Sequence, residues 1–188
     1  MMQSRVERHQ SDRRSLWSPV LRAWRSAAFA LAGVACPASA AIAVTPITPP
    51  DYRDDRSTPE AVISSLYNAV ARHEYTRAWS YFDDGPDRPD FATFAKGYED
   101  TAAVSLKLGK GTSEGAAGSI YALVPVVVQS MVTGGERTVY AGCYQLKQVQ
   151  PAAQIEPPFH PLGIVKGRLE KTNASFEEAT GHCPKDGL

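Results

Sequence analysis

The spacing of apolar residues changes once along this chain, near residue 100. Between residues 57 and 98 they recur every three or four positions, which is the period of an α-helix. From Ala103 onward they alternate singly, which is typical of half-buried strands. Helices that precede strands in sequence favour an architecture with helices covering one face of an antiparallel sheet. The pattern therefore predicts an α+β domain.

Three helices are predicted in the first part. Ser57 and Glu60 have capping-box spacing, with a proline in the first turn between them, so a first helix is expected to begin here. Shorter helices are predicted over 75–82 and 91–98, the latter capped by Asp90.

Four strands are predicted in the second part, forming a curved, mainly antiparallel sheet on which the three helices pack in a cone shape. They cover residues 103–108, 119–132, 138–149 and 163–171.

The strand 119–132 is apolar at nearly every position, which indicates burial on both faces. Pro125 within it is expected to force a bulge or an edge position, because proline has no N–H to donate to a ladder. Residues 109–118 contain four glycines and are predicted to form a long flexible turn.

Residues 1–40 have the features of a secretory signal peptide. Six arginines lie within the first 25 residues, an apolar run covers Ala27 to Cys36, and Ala38-Ser39-Ala40 fits a cleavage site, as does 41–43. The apolar run is about half the roughly 20 residues needed to span a membrane. We therefore expect a periplasmic or secreted protein with no stable membrane insertion after signal cleavage.

The predicted mature chain begins with a linker rich in proline and charge over 41–56, followed by a single domain over 57–188. Cys36 leaves with the signal, so Cys143 and Cys183 remain. An even pair in an exported chain predicts a disulfide, which would staple the C-terminal tail to an interior strand.

The charge balance excludes some partners. The chain has 20 basic and 20 acidic side chains, of which residues 1–40 hold six and two, leaving 14 basic against 18 acidic groups. A net charge near −4 argues against nucleic acid and anionic membrane surfaces as partners.

The predicted elements resemble a known superfamily. The capped first helix, the second helix ending in Ala78-Trp79-Ser80-Tyr81-Phe82, the third helix and the long hairpin are similar to the nuclear transport factor 2-like, cystatin-related cone fold over residues 57–171. That resemblance implies a conical apolar pocket. Ketosteroid isomerases, dehydratases and polyketide cyclases use such a pocket, and so do non-catalytic binding domains, so the resemblance implies a cavity more than an activity.

Acid–base residues are scarce where that pocket would lie. The interiors of the strands over 104–108, 119–132 and 138–149 contain no Asp, Glu or His, so a catalytic base would come from a helix or the rim, with Asp83 and Asp100 as candidates. We therefore expect an exported non-catalytic domain that binds a small apolar ligand or a protein partner in the cell envelope. The alternatives are a small isomerase, dehydratase or cyclase that uses a pocket carboxylate, and a purely structural interaction module.

Aromatic side chains are the candidate ligand-binding residues, since aromatic walls with a few hydroxyls suit an apolar ligand carrying one or two polar atoms. The alternative is that they only fill the core. The candidates are Trp79, Phe94, Tyr98, Tyr121, Tyr140 and Tyr144. Phe159 and His160 are a weaker candidate for the pocket's lip, and the apolar face of 119–132 also permits a homodimer through the sheet.

The remaining motifs predict neither a metal site, a cofactor nor a hydrolase. Four aspartates over 83–90 could hold calcium, but aspartates beside Gly and Pro usually form turns and caps. His73, His160 and His182 lack zinc-ligand spacing. Ser113 lies in a G-x-S-x-G match without the strand and helix that a nucleophile elbow needs.

Overall fold

The computed structural model describes residues 48–185, 187 and 188. The predicted signal peptide, its cleavage site and the first part of the linker lie outside these residues. Three α-helices precede five β-strands, and a 3-10 helix (Pro151–Ala153) lies between the last two. The helices are α1 (Pro59–Ala71), α2 (Tyr75–Trp79) and α3 (Phe91–Tyr98), and the strands are β1 (Thr101–Leu108), β2 (Thr112–Ala116), β3 (Ser119–Val132), β4 (Arg137–Val149) and β5 (Gly163–Thr172). No helix in the described part is both long and apolar enough to cross a membrane.

The cap of α1 lies one residue later than predicted. The Thr58 side chain accepts a hydrogen bond from the Ala61 N–H at 3.1 Å, whereas the Ser57 N–H donates to Asp55 Oδ1 at 2.9 Å. Asp55 thus forms a turn that removes Ser57 from the capping position. The predicted cap of α3 is confirmed, because Asp90 Oδ2 accepts from the Thr93 N–H at 3.0 Å.

The second helix ends at Trp79, three residues before the predicted end. The chain leaves the helix because its backbone pairs with β5 instead. The Ile164 N–H donates to the Tyr81 carbonyl and the Asp83 N–H donates to the Ile164 carbonyl, each at 2.8 Å. This pairing ties the helical layer to the sheet.

The sheet is open, and all its strand pairs are antiparallel. Its order is β1-β3-β4-β5, and β2 pairs with β3 on the same side as β1. The prediction of a flexible turn over 109–118 is therefore wrong for β2, and the sheet has five strands instead of four. β1 and β2 lie end to end along β3, interrupted only at 109–111.

Pro125 lies in the central strand β3, opposite that interruption. It is neither in a bulge nor on an edge, contrary to the prediction. Its carbonyl accepts from the Gly109 N–H at 2.8 Å. The N and O atoms of a strand residue point to the same side of the strand. The N–H that Pro125 lacks would therefore point towards the break between β1 and β2, where no ladder hydrogen bond is lost.

The two faces of β3 are covered by different parts of the chain, as its continuous apolar run predicts. Val124 and Val126 are fully buried under the helices on the inner face, within the main core. Val127 points to the outer face, where it packs in a second cluster with Val139 and Ala179 of the C-terminal tail. Alternation along the strand thus places Val127 on the opposite face from Val124 and Val126.

The C-terminal tail, which the structure describes over residues 173–185, crosses the outer face of the sheet. The predicted pairing of its cysteine is confirmed: Cys143 and Cys183 form a disulfide with 5.0 Å between their Cα atoms. The Lys107 ammonium donates to the carbonyls of Phe176 and Glu177 at 2.8 and 3.0 Å. The tail therefore covers part of the sheet face on which the sequence predicted a homodimer.

Gly181 marks the closest approach of the tail to the sheet. A Cβ atom added there would lie 2.3 Å from the Val126 nitrogen and 2.6 Å from its oxygen. No side chain fits at that distance, so the position requires glycine.

Residues 48–56 form no helix or strand but lie along α1. The Asp55 N–H donates to Ser65 Oγ at 2.8 Å, and the Arg53 N–H donates to Asn68 Oδ1 at 3.0 Å. The Asn68 side chain in turn donates to the Asp51 carbonyl at 2.7 Å. These side chains of α1 satisfy backbone groups that would otherwise need water.

Candidate functional site

A cavity of about 360 Å³ lies between the helices and the inner face of the sheet. Every secondary-structure layer of the domain contributes to its wall: α1 and α3 on one side, and β1, β3, β4 and β5 on the other. The lining residues are Tyr67, Thr93, Phe94, Gly97, Tyr98, Thr101, Val104, Val128, Ser130, Tyr140 and Leu169. The wall is therefore apolar and aromatic, with hydroxyls as its polar side-chain groups.

Tyr67, which lines the cavity, is hydrogen-bonded to a second buried tyrosine behind the wall. The hydroxyl oxygens of Tyr67 on α1 and Tyr144 on β4 lie 2.7 Å apart, and the rings meet edge to face with centroids 6.3 Å apart. Each residue is 4% exposed. Burial raises the pKa of both hydroxyls above the ordinary tyrosine value, because the phenolate would lose its hydration. Both are neutral hydroxyls at neutral pH.

The Tyr144 ring lies directly against the backbone of β5 at Gly167. A Cβ atom added to Gly167 would lie 2.3 Å from Tyr144 Cε1. Glycine at this position therefore gives the ring the space from which its hydroxyl reaches Tyr67.

A second aromatic group lines the helical side. Phe94 packs edge to face against Tyr98 with centroids 5.1 Å apart, and against Phe82 at 5.6 Å. The Tyr75 hydroxyl donates to the Tyr98 carbonyl at 2.9 Å, which satisfies a backbone group at the end of α3. Burial raises the pKa of the Tyr98 hydroxyl as well.

The structure brings four of the six predicted aromatic residues together. Phe94, Tyr98 and Tyr140 line the cavity, and Tyr144 is hydrogen-bonded to the lining residue Tyr67.

Trp79 and Tyr121 lie elsewhere. The Trp79 Nε1–H donates to the Pro89 carbonyl at 2.8 Å, and the Arg88 guanidinium stacks on its ring 3.4 Å from the centroid. Tyr121 has the opposite parity to Val124 and Val126 along β3, so its side chain lies on the outer face.

Tyr67 is the site residue that the sequence analysis missed. It lies four residues after Ile63, and helical spacing of four places two side chains on the same face. Its position on the buried face of α1 could therefore have been predicted from the sequence, although its hydrogen-bond partner on β4 could not.

No residue that lines the cavity is an Asp, Glu, His, Lys, Arg or Cys. Asp83 lies 3.8 Å from the Lys147 ammonium, and Asp100 is exposed, its carbonyl accepting from the Thr133 N–H at 3.0 Å. Neither candidate base lines the cavity. The wall can pack against apolar surface and exchange hydrogen bonds, and it offers no group of ordinary acid–base strength.

The other candidate motifs have separate places. In the described part of the chain, no three His, Cys, Asp or Glu side chains are arranged to hold a metal ion. Asp84 forms an ion pair with Arg88. Ser113 lies within the exposed strand β2. Phe159 and His160 line a separate cleft of about 120 Å³, away from the cavity.

The outer face carries a larger groove of about 920 Å³. Its floor includes Tyr121, Leu123 and Pro125 of β3, and residues 181–185 of the tail line it together with β2. The disulfide lies in its wall, so the position of the tail determines the shape of this groove.

Comparison with known proteins gives structural likenesses only. No protein-family model and no curated protein matches the chain. A SEC-C motif containing protein from Rhodopseudomonas palustris has 16% identity and a TM-score of 0.43, with 61% of this chain and 80% of that chain covered. A SEC-C motif containing protein from Psychrobacter arcticus has 10% identity and a TM-score of 0.45, with 63% and 64% covered. A protein from Kribbella flavida has 13% identity and a TM-score of 0.43, with 66% and 100% covered.

Proposed function

We propose that this protein is an exported binding domain that holds a small, mainly apolar ligand in the cavity between its helices and its sheet, without transforming it. The observation that carries the proposal is the cavity wall, which combines aromatic and aliphatic side chains with hydroxyls and contains no carboxylate or imidazole. Apolar pockets with a few placed polar groups are the usual form of small-ligand sites.

We also propose that the domain is a member of the nuclear transport factor 2-like cone-fold superfamily. The order of three helices before an antiparallel sheet, with the helices on its inner face, supports this assignment.

Export is supported by two independent features. The arginine-rich and apolar segments of residues 1–40 have the order of a secretory signal. The Cys143–Cys183 disulfide is typical of proteins in oxidising compartments.

Native mass spectrometry of the protein purified from the exported fraction of its host tests the proposal. We expect a chain that lacks about 40 N-terminal residues and carries a small molecule that is released on denaturation. A bare mass, combined with no binding of apolar probes in solution, would contradict the binding function. A doubled bare mass would indicate a homodimer with an unfilled cavity instead.

A variant at the cavity mouth provides the matched comparison. Gly97 on α3 is exposed, lines the cavity, and has no atom within 4 Å of an added Cβ. Gly97→Leu should fold, because it removes a glycine from a helix, and should weaken ligand binding at least tenfold by filling the mouth. Ala92→Leu adds an exposed leucine to the same helix outside the cavity and should bind as the unaltered protein does.

A further inference from the structure

The strand β1 has a free edge. In the described part of the chain it pairs with β3 and with no other strand. The hydrogen-bonding phase of this ladder is set at its end, where the Gly109 N–H donates to the carbonyl of Pro125, the residue directly opposite, at 2.8 Å. That position is therefore a hydrogen-bonded pair, and such pairs alternate along two antiparallel strands with pairs that exchange no hydrogen bond.

Three residues of β1 present backbone groups at the free edge. Val104, Leu106 and Leu108 lie at the positions that exchange no hydrogen bond with β3, so their N–H and C=O groups point away from it. No backbone hydrogen bond outside the ladders of the described residues involves these three. Their side chains are half-buried and pack against the main core. An edge of this kind is a template for an added strand.

The free edge of β1 carries little charge. Lys107 is the one charged residue of the strand, and its ammonium is held by the carbonyls of Phe176 and Glu177 in the tail. In contrast, the strand β5 at the opposite edge has four exposed charged residues. Strand addition is therefore opposed at β5 and not at β1.

An open groove of about 550 Å³ lies beside the β1 edge. Val104 and Leu106 form one wall, and α1 together with residues 50–53 forms the other. No described residue of β3 lines the groove, so it lies on the side of β1 that faces away from β3. The groove leaves space next to the inner face of β1 for the side chains of an added strand.

A second copy of β1 fits this edge. An added antiparallel strand must present N–H and C=O groups at every second residue, and β1 itself does so at Val104, Leu106 and Leu108. A two-fold axis at Ser105 or at Leu106 places the edge groups of one copy opposite those of the other. Each copy then donates and accepts hydrogen bonds through the same residues.

The side chains of two paired copies are also compatible. Opposite residues of antiparallel strands project to the same face, so the apolar side chains of Val104 and Leu106 in the two copies meet beside the groove. Lys107 lies opposite Ala103 or Ser105 of the second copy, so no like charges are paired. Burial of the apolar side chains supplies the driving force for association.

We propose that two copies of this protein associate through antiparallel pairing of their β1 strands, which joins the two sheets into one. Both copies use the same strand, so the contact is isologous and closes at a dimer. This surface differs from the outer sheet face that the sequence analysis considered for a homodimer. The proposal does not depend on ligand binding in the cavity.

Two measurements on the unaltered protein, purified from the exported fraction of its host, test the proposal. Sedimentation velocity over a range of concentrations should show a monomer that converts to a dimer as the concentration rises. Amide hydrogen exchange, followed by NMR, should slow about tenfold at Val104, Leu106 and Leu108 on dimerisation, because these N–H groups become hydrogen-bonded. Exchange along β5 should not change.

A charge added to the β1 edge should weaken the dimer. Ser105 is exposed, so Ser105→Lys should fold as the unaltered protein does. The new ammonium lies opposite its own counterpart if the axis is at Ser105, and opposite Lys107 of the second copy if the axis is at Leu106. We expect the dimer dissociation constant to rise at least about fivefold. Ser113→Lys adds the same charge to the exposed strand β2 and should leave this constant unchanged.

The outcomes decide the proposal. A protein that stays monomeric at every concentration would overturn it. A dimer in which the three β1 amides exchange as fast as in the monomer would also overturn it, because the copies would then meet through another surface. An equal effect of Ser105→Lys and Ser113→Lys on the dissociation constant would show that only net charge matters. The exchange measurement needs no variant, so it decides the surface even if a variant does not fold.

Discussion

Single glycines determine how closely aromatic rings and backbone approach each other in this domain. Gly167 is exposed on one side, yet its other side lies against the Tyr144 ring, so exposure alone does not reveal that it is constrained. The sequence analysis places Gly167 within a predicted strand and gives no reason for a glycine there. The Tyr144 ring on the neighbouring strand β4 explains why a glycine occupies position 167.

We expect Gly167→Ala to lower the free energy of unfolding by about 1–3 kcal/mol, because the new methyl group would overlap the Tyr144 ring and force it to move. Urea denaturation monitored by circular dichroism measures the change. Gly115→Ala is the control, since it also lies in a strand and has no atom within 4 Å of the added Cβ. Equal effects of the two substitutions on the free energy of unfolding would show that overlap with the Tyr144 ring does not destabilise the Gly167→Ala variant.

Local hydrogen bonds determine where the elements begin and end, and the sequence reveals them unequally. The Asp90 cap was predictable because it lies directly before an apolar helical stripe. The α1 cap was misplaced by one residue, because Ser57 and Thr58 both have a capping side chain and only the turn at Asp55 distinguishes them.

The caps of α1 can be compared directly. Thr58→Ala should destabilise the domain by about 1 kcal/mol, since it removes the acceptor for the Ala61 N–H. Ser57→Ala should cost clearly less, because the Ser57 side chain does not cap the helix. Thermal unfolding of both variants under identical conditions measures the difference. A larger loss of stability for Ser57→Ala would instead support the capping box at Ser57 that the sequence predicted.

The strand β2 was missed for a physical reason. All five of its residues are exposed, so no alternation of apolar and polar residues records its pairing. It is held by backbone hydrogen bonds to β3, and backbone groups are the same for every residue type. In contrast, β3 and β4 were predicted nearly to the residue, because burial imposes a side-chain pattern on them.

At the scale of the whole molecule, one covalent link joins the tail to the sheet. Cys143 is 1% exposed and its partner is 40 residues away in sequence. The even number of cysteines that remains when the predicted signal peptide is set aside predicted this pairing. The tail's course across the sheet was not predictable, because it depends on the fit of Gly181 over Val126 and on Lys107 reaching two tail carbonyls.

Thiol chemistry tests this link. Alkylation of the denatured exported protein without reductant should label neither cysteine, and prior reduction should expose both to labelling. Reduction should lower the free energy of unfolding by about 4 kcal/mol in the chain-entropy model for a loop of this length. Labelling of both cysteines before reduction would show that the protein does not contain this disulfide. A Cys143→Ser/Cys183→Ser double variant should match the stability of the reduced protein.

The edge of the sheet formed by β5 is poorly suited to pairing with another chain. The edge formed by β5 carries exposed charged side chains at Lys166, Arg168, Glu170 and Lys171. An approaching strand would have to desolvate these charges in order to pair, and charged side chains on an edge strand are a common defence against aggregation. This edge should therefore keep copies of the domain from joining into extended sheets at high concentration, and any contact between copies would have to use another surface.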